Sequence, residues 1–351
     1  MVDNLRWWDP SNHLDRRPFL IARAEIKTAI RGWFRDREFL EVDTTCLQIS
    51  PGNEPHIHAL STEILTPDQS RIKRYLHTSP EFAMKKLLAA GERKIFFLGP
   101  CFRNQEQGPL HATEFTMLEW YRAEESLDTI MEDTKDLLHL ACRTTNQRLI
   151  SWRGRTANPF SPLERLSLRE AFSRYLGIDL LLTLRKGNEG PDRSALALEA
   201  ERVGITVRSA DTWSDIFTRL LAAHIEPKLG LGHGTFLTHY PTIESSLARA
   251  CSEDPRFAQR FELYCCGVEI ANGFEELTDP IQQRENFEKN MSLKYERYGE
   301  TYPLDEGFLD ALKDMPEASG CALGFDRLTM LATGATHINQ VLWTPPTYTS
   351  Y

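Results

Sequence analysis

No apolar run in this chain approaches the roughly 20 residues that a membrane-spanning helix needs. The opening residues, Met1 to Trp8, also lack the apolar stretch of a signal peptide. Both absences lead to the expectation of a cytoplasmic protein with no membrane partner. Cysteine is sparse and unpatterned: Cys46, Cys101, Cys142, Cys251, Cys265, Cys266 and Cys321 contain no C-x-x-C pair and are odd in number. That argues against a disulfide framework or a zinc site and leaves buried, reduced thiols as the expectation. Basic runs are missing as well. With 41 Lys+Arg against 50 Asp+Glu the formal net charge is -9, whereas proteins that track nucleic acid by its phosphates carry a basic face or stripe. A nucleic-acid substrate is disfavoured on that ground.

What is present is a globular composition, 41% hydrophobic and 26% charged over 351 residues, enough for one large domain or two ordinary ones. Ile26, Ile30, Trp33 and Phe34 recur at helical spacing within residues 21–39, with charges on the other side. A short strand is predicted over 40–45. Thr78-Ser79-Pro80-Glu81 reads as a helix start with a hydroxyl cap, Pro at the first position and an acid in the first turn, and Gly91 as its stop. Residues 95–98 and 114–121 predict an antiparallel pair joined by a long, polar, flexible loop, and 127–140 a second amphipathic helix. Further strands are expected at 235–240, 261–264, 268–273 and 320–324, the last running into a helix at about Arg327. Residues 181–209 are charged and weakly patterned and read as an insertion outside the sheet. The fold class is α+β, with helices flanking a mostly antiparallel sheet.

Three constellations carry chemistry. In 114–121 the alternation of a strand puts Phe115, Met117, Glu119 and Tyr121 on one face. An aromatic surface there can stack on adenine, and a carboxylate beside a phenol can hold an ammonium; an ordinary half-solvated strand would read the same way. In 261–273 a two-residue turn at Cys266-Gly267 would pair Tyr264 with Glu269 and set Glu262 diagonally across on the same face. Two carboxylates so placed need a counter-ion or a proton, which Mg²⁺ with nucleotide phosphates would supply; a solvated acidic hairpin is the alternative. Finally, Arg327 follows the small residues Ser319, Gly320, Ala322 and Gly324 and opens a helix, where an anion is favoured, although a glycine-rich strand packed under a helix would look identical.

Phe102-Arg103-Asn104 leading into Glu114-Phe115-Thr116-Met117-Leu118-Glu119-Trp120-Tyr121, together with Gly320-Cys321-Ala322-Leu323-Gly324-Phe325-Asp326-Arg327, resembles the catalytic domain of class II aminoacyl-tRNA synthetases, in its lysyl-tRNA synthetase branch. The resemblance covers residues 21–331. Residues 24–47 are similar to motif 1, 102–121 to motif 2 and 322–331 to motif 3. It implies a single catalytic domain over 1–351, with an insertion at 178–212 and a tail at 343–351, and a homodimer formed through motif 1. It further implies ATP and Mg²⁺ as cofactors. Arg103 and Arg327 would be catalytic, on the α-phosphate and the γ-phosphate end, and Phe115 would stack on adenine. Asn104, Gln105, Glu106, His111, Glu269, Ile270 and Gly324 would complete the ATP site, and Glu262 and Glu269 would bind the metal. Ser79, Pro80, Glu81, Glu119, Tyr121 and Ala322 would line the amino-acid pocket, with Glu276 on the distal ammonium of a lysine-like substrate.

About twenty residues precede motif 1 in the sequence, so the expectation is that the anticodon-binding OB domain of a lysyl-tRNA synthetase is missing. With Ala322 in place of a glycine, this resembles the truncated paralogues that attach (R)-β-lysine to a lysine of elongation factor P, with no tRNA. The expected reaction is adenylate formation followed by amide formation on the acceptor amine. Aminoacylation of tRNA, amide synthesis on a small molecule and a catalytically silent paralogue are the rival readings. The sequence departs from the family pattern at Gln105, which replaces the motif 2 glutamate and leaves Glu106 as a substitute, at Thr45 in motif 1, and at Ala112-Thr113 in the motif 2 loop.

Overall fold

The computed structural model describes residues 6–185 and 190–346. The last part of the expected tail, 347–351, lies outside the described residues, as does 186–189 of the expected insertion. The chain forms two compact units, residues 1–147 with 278–351, and residues 148–277.

The first unit opens on the helix Pro10–Arg35, capped by Asp9, whose carboxylate accepts the Ser11 backbone N–H. The helix starts at Pro10, well before the apolar periodicity that marks its core-facing half, because an acidic cap followed by Pro at N1 is itself a start signal. Its apolar stripe of Ile26, Ile30, Trp33 and Phe34 is buried. Phe34 stacks on Phe96 at 4.3 Å and 7° and meets Trp120 edge-on at 5.9 Å. The chain leaves the helix through Glu38 at φ 63°. The strand Leu40–Glu41 then runs parallel to Lys94–Phe102, which pairs antiparallel with Glu114–Ala123, which in turn pairs antiparallel with Ala318–Gly324. The antiparallel pair expected around the 103–113 loop is therefore present. The loop is tied down at both ends, by Arg103 N–H to Thr113 O at 2.9 Å and Asn104 N–H to His58 O at 2.7 Å. Leu127–Thr144 and Phe325–Thr333 supply further helices, and a small sheet orders Leu47–Gln48, Arg71–Leu76 and Ser61–Leu65.

In the second unit Glu164–Ser167 is parallel to Thr235–Pro241, and Thr235–Pro241, Phe257–Cys265 and Val268–Glu275 follow antiparallel. Among the described strands, each unit has one parallel pair and its other strand pairs are antiparallel, the α+β class read from sequence. Residues 178–212 form a 3₁₀ turn, Leu180–Thr183, and a helix, Arg193–Arg202, and no sheet strand among their described residues. They are nonetheless anchored, since Leu180, Leu184, Leu196 and Ala200 are buried in the unit's core with Phe172, Trp213 and Phe217. All seven cysteines carry free thiols.

Candidate active site

Along Glu114–Ala123 the two faces separate as a strand requires. Trp120 turns to the helices, where its indole N–H donates to Asp133 at 3.2 Å, and Arg122 pairs with the same carboxylate at 2.7 Å. On the opposite face Glu119 accepts the Tyr121 hydroxyl at 2.6 Å on Oε1 and the Ser79 hydroxyl at 2.6 Å on Oε2. Ser79 donates its proton there and accepts the Glu81 backbone N–H at 3.2 Å, so the helix Glu81–Ala89 begins with Pro80 at the cap position and no side-chain cap of its own. Ala322 is the direct cross-strand partner of Glu119, so its methyl group borders that carboxylate.

Glu119 is buried, at 1% exposure. Burial and the neighbouring Glu81 carboxylate push its pKa up to about 7, against the hydrogen bonds from Ser79 and Tyr121 and the charge of Lys85. Glu81 itself accepts Lys85 Nζ at 2.5 Å, and the Lys85 side chain is fully buried. The structure therefore brings Ser79, Glu81, Glu119, Tyr121 and Ala322 together and adds Lys85, a lysine that helical i,i+4 spacing from Glu81 could have flagged.

Beside this pocket, Arg103 lies over the Phe115 ring, 5.3 Å from guanidinium carbon to centroid. Its Nε donates to Thr78 O at 3.3 Å, and Glu106 is 3.9 Å away. Arg327, in the first turn of Phe325–Thr333, donates to His111 Nε2 at 2.7 Å. Burial first, then the charge of Arg327 and more weakly that of Arg103, lower the pKa of His111, which keeps the imidazole a neutral acceptor. Both arginines thus bear on one histidine. Asn104 and Gln105 are exposed, Asn104 Oδ1 accepting the Gln105 N–H at 2.9 Å and Gln105 taking φ 61°. Gly324 is the cap of the Arg327 helix.

Two further residues hold this arrangement. Asp326, buried, accepts the Thr116 backbone N–H at 2.7 Å and pairs with Arg23, and Arg23 also donates to Thr116 Oγ1 at 2.8 Å. Arg23 thereby ties the first helix to the strand of Phe115 and to the helix of Arg327. The sequence held a signal for it: Arg23 precedes Ile26 by three residues and so falls within the apolar stripe, where an unpaired charge would be costly.

In the second unit the Cys266-Gly267 turn forms with φ 55° and 73°, the left-handed pair of a type I′ turn, and Tyr264 pairs with Glu269. Gly230 backs onto this hairpin so closely that a Cβ would lie 2.5 Å from Cys265 Cα. The register slips between Leu263 and Tyr264, so Glu262 lies opposite Asn272 rather than in the regular diagonal expected, and Ile270 sits at the irregularity. Nor is Glu262 left to an external counter-ion. Glu262, buried, accepts Tyr240 at 2.6 Å and Tyr264 at 2.7 Å on Oε2 and Arg260 at 2.6 Å on Oε1. Burial, with the Glu269 carboxylate adding to it, still raises its pKa against the charge of Arg260. Tyr240 and Arg260 were missed because a phenol and a guanidinium on neighbouring strands converge only in three dimensions. Glu276 is also buried, at 1% exposure, its backbone bridged to Ala248.

The donor set suits Mg²⁺. Carboxylate oxygens are its preferred ligands, Oε1 of Glu262 retains a lone pair beyond the one given to Arg260, and Glu269 lies close enough to influence the Glu262 charge. Among the described residues no group of three or more His, Cys, Asp or Glu is placed to hold a metal on protein ligands alone. Two carboxylates, with phosphate and water completing the shell, is the usual manner of Mg²⁺.

A mostly antiparallel α+β architecture that sets Arg103 over the Phe115 strand and Arg327 in the first turn of the helix Phe325–Thr333 fits the catalytic fold of class II synthetases. The chain belongs to the family of tRNA synthetases class II (D, K and N), which matches residues 5–347. Among relatives, it is 39% identical to the elongation factor P--(R)-beta-lysine ligase of Salmonella arizonae over 95% of this chain and 96% of that protein. It is 39% identical to the protein of that name from Proteus mirabilis over 96% and 97%, and 38% identical to that of Salmonella paratyphi A over 95% and 96%.

Proposed function

We propose that this protein activates (R)-β-lysine, or lysine, with ATP and ligates it to the ε-amino group of a lysine on elongation factor P. The observation that carries the reading is the Ser79–Glu119–Tyr121 cluster around a buried carboxylate, with Glu81 beside it, next to the Arg103–Phe115 pair; the first would serve as an ammonium pocket and the second as a purine and phosphate platform. Relatives that bear the ligase name, matched over almost their whole length, support the choice of substrate and acceptor.

In the first step the substrate carboxylate attacks the α-phosphorus of ATP in line, giving the aminoacyl adenylate and pyrophosphate. Arg103 and Arg327 stabilise negative charge on the phosphates, and Phe115 stacks on the adenine. Glu262 and Glu269 would hold Mg²⁺, which when bound offsets phosphate charge. Asn104, Gln105, Glu106, His111, Ile270 and Gly324 complete the nucleotide contacts, and Ser79, Pro80, Glu81, Glu119, Tyr121, Ala322 and Glu276 those to the doubly cationic substrate. In the second step a neutral lysine amine attacks the mixed anhydride, AMP leaves, and an amide remains. No enzyme nucleophile is needed, and rate comes from alignment and electrostatics. The net charge of -9 favours a protein acceptor over tRNA.

The chain would act as a cytoplasmic homodimer joined through residues 24–47, a reading supported by exposed Leu40 and Leu47 and tested by sedimentation mass. No helix among the described residues is long and apolar enough to cross a membrane. The activation step is tested by lysine-dependent exchange of pyrophosphate into ATP: Arg103→Ala abolishes it, and exchange at the native rate would reject the assignment.

A further inference from the structure

We propose that Lys294, buried at the end of the helix Pro280–Tyr298, is a positioning residue that sets the nucleotide-binding segment Arg103-Asn104 through the backbone of residues 55–59. The proposal rests on the reading of Arg103 as a phosphate ligand.

Lys294 is 0% exposed. An ammonium so placed is costly unless its protons are used, and an apolar side chain of similar size would satisfy packing at lower cost. Its protons are used on an irregular segment of chain. Nζ donates to Ile57 O at 2.9 Å and Pro55 O at 3.2 Å and lies 3.4 Å from Glu300 Oε2. The faces of Tyr302 and Tyr298 flank it, their centroids 4.8 and 5.7 Å away.

Glu300 extends the contact. Its Oε2 is 2.7 Å from His58 Nδ1 and its Oε1 accepts the Tyr302 hydroxyl at 2.8 Å. The same hydroxyl accepts the Ala59 backbone N–H at 2.8 Å. Lys294, Glu300 and Tyr302 therefore fix Pro55, Ile57, His58 and Ala59 in succession. Lys294 lies in the last turns of its helix, and Glu300 and Tyr302 follow directly after it.

The segment they hold meets the nucleotide loop through the hydrogen bond from Asn104 N–H to His58 O at 2.7 Å, with His58 and Asn104 forming an antiparallel bridge. Arg103 is the adjacent residue, and its own N–H is taken by Thr113 O. The start of the loop is thus clamped between its returning limb and the His58 backbone, and the second jaw is set by Lys294. A jaw that relaxes moves the arginine relative to the phosphates without removing any group that touches substrate.

The test is steady-state pyrophosphate exchange on the full chain with Lys294→Met, Tyr302→Phe, Glu300→Ala and Glu300→Gln. Lys294→Met raises the KM for ATP roughly tenfold, within the roughly hundredfold that a ~1 Å displacement can cost, and changes the KM for the amino acid less than about twofold. Glu300→Gln, which keeps an acceptor for Tyr302, falls nearer the native enzyme than Glu300→Ala. Tyr302→Phe keeps the ring and loses both hydroxyl bonds, and it gives the same ATP-selective change if Lys294→Met does not fold. A lowered melting temperature with an unchanged KM for ATP, or an equal rise in both KM values, assigns these residues to packing alone and overturns the proposal. If Arg103→Ala leaves exchange intact, it is the phosphate reading that fails, whatever Lys294 does.

Discussion

Under the proposed function, binding and stability pull in opposite directions on Glu119. Its folded pKa of about 7 lies above the ordinary value of 4.5, first because it is buried and then because Glu81 is near. Between those two values the folded state holds a proton that the unfolded chain has released, so stability falls as pH rises from about 4.5 to 7. In the proposed role of Glu119 as the partner of a substrate ammonium, the ionised form is the one that binds, so affinity for the amino acid is expected to rise over the upper part of the same window. Glu119→Gln is therefore expected to raise stability above pH 7 by on the order of 3 kcal/mol, since each tenfold change in proton affinity is worth about 1.4 kcal/mol and the shift is from 4.5 to about 7. It should also weaken amino-acid binding and flatten its pH dependence. Denaturant titrations at pH 5 and pH 8, paired with the amino-acid KM at each, check this, and an unaltered pH slope of stability would contradict it. The shared face of Phe115, Glu119 and Tyr121 was readable from strand alternation. The partners that tune it, Ser79 and Lys85, come from a separate helix start and required the fold.

At the level of elements, three pieces far apart in sequence are joined by one buried cation. Arg23, on the first helix, pairs with Asp326 at the start of the Arg327 helix and hydrogen-bonds Thr116 on the Phe115 strand. Its guanidinium also lies 4.8 Å over the Phe325 ring. Removing one partner of a buried pair leaves the other charge uncompensated, so Arg23→Met should cost about 3–5 kcal/mol in a urea titration, and a loss below about 1 kcal/mol, the level of an exposed pair, would contradict the role. Most elements were legible because their periodicity is strong: the apolar stripe of the first helix, the strands at 95–98 and 114–121, and the hairpin turn at Cys266-Gly267. What was not legible lies where side chains decide register. The slip between Leu263 and Tyr264 moves Glu262 opposite Asn272, and nothing in a two-residue repeat announces it. The segment 178–212 was read as an insertion outside the sheet because its charges dominate; its described residues hold no sheet strand, but that it buries Leu180, Leu196 and Ala200 was not legible.

For the whole molecule, the acidic balance of -9 and the kinship with ligases of elongation factor P favour an acceptor that is a protein. The family offers the contrary possibility, since it is described by its tRNA synthetases. Both outcomes begin with the same adenylate, so the acceptor, not the activation step, separates them. The most direct measurement is intact mass of elongation factor P and acid-stable charging of tRNA, in one reaction with ATP, Mg²⁺ and either (R)-β-lysine or lysine. The account predicts that elongation factor P gains one lysyl unit at a single lysine, faster with the β-isomer, while tRNA stays uncharged. Charged tRNA with unmodified elongation factor P would contradict it.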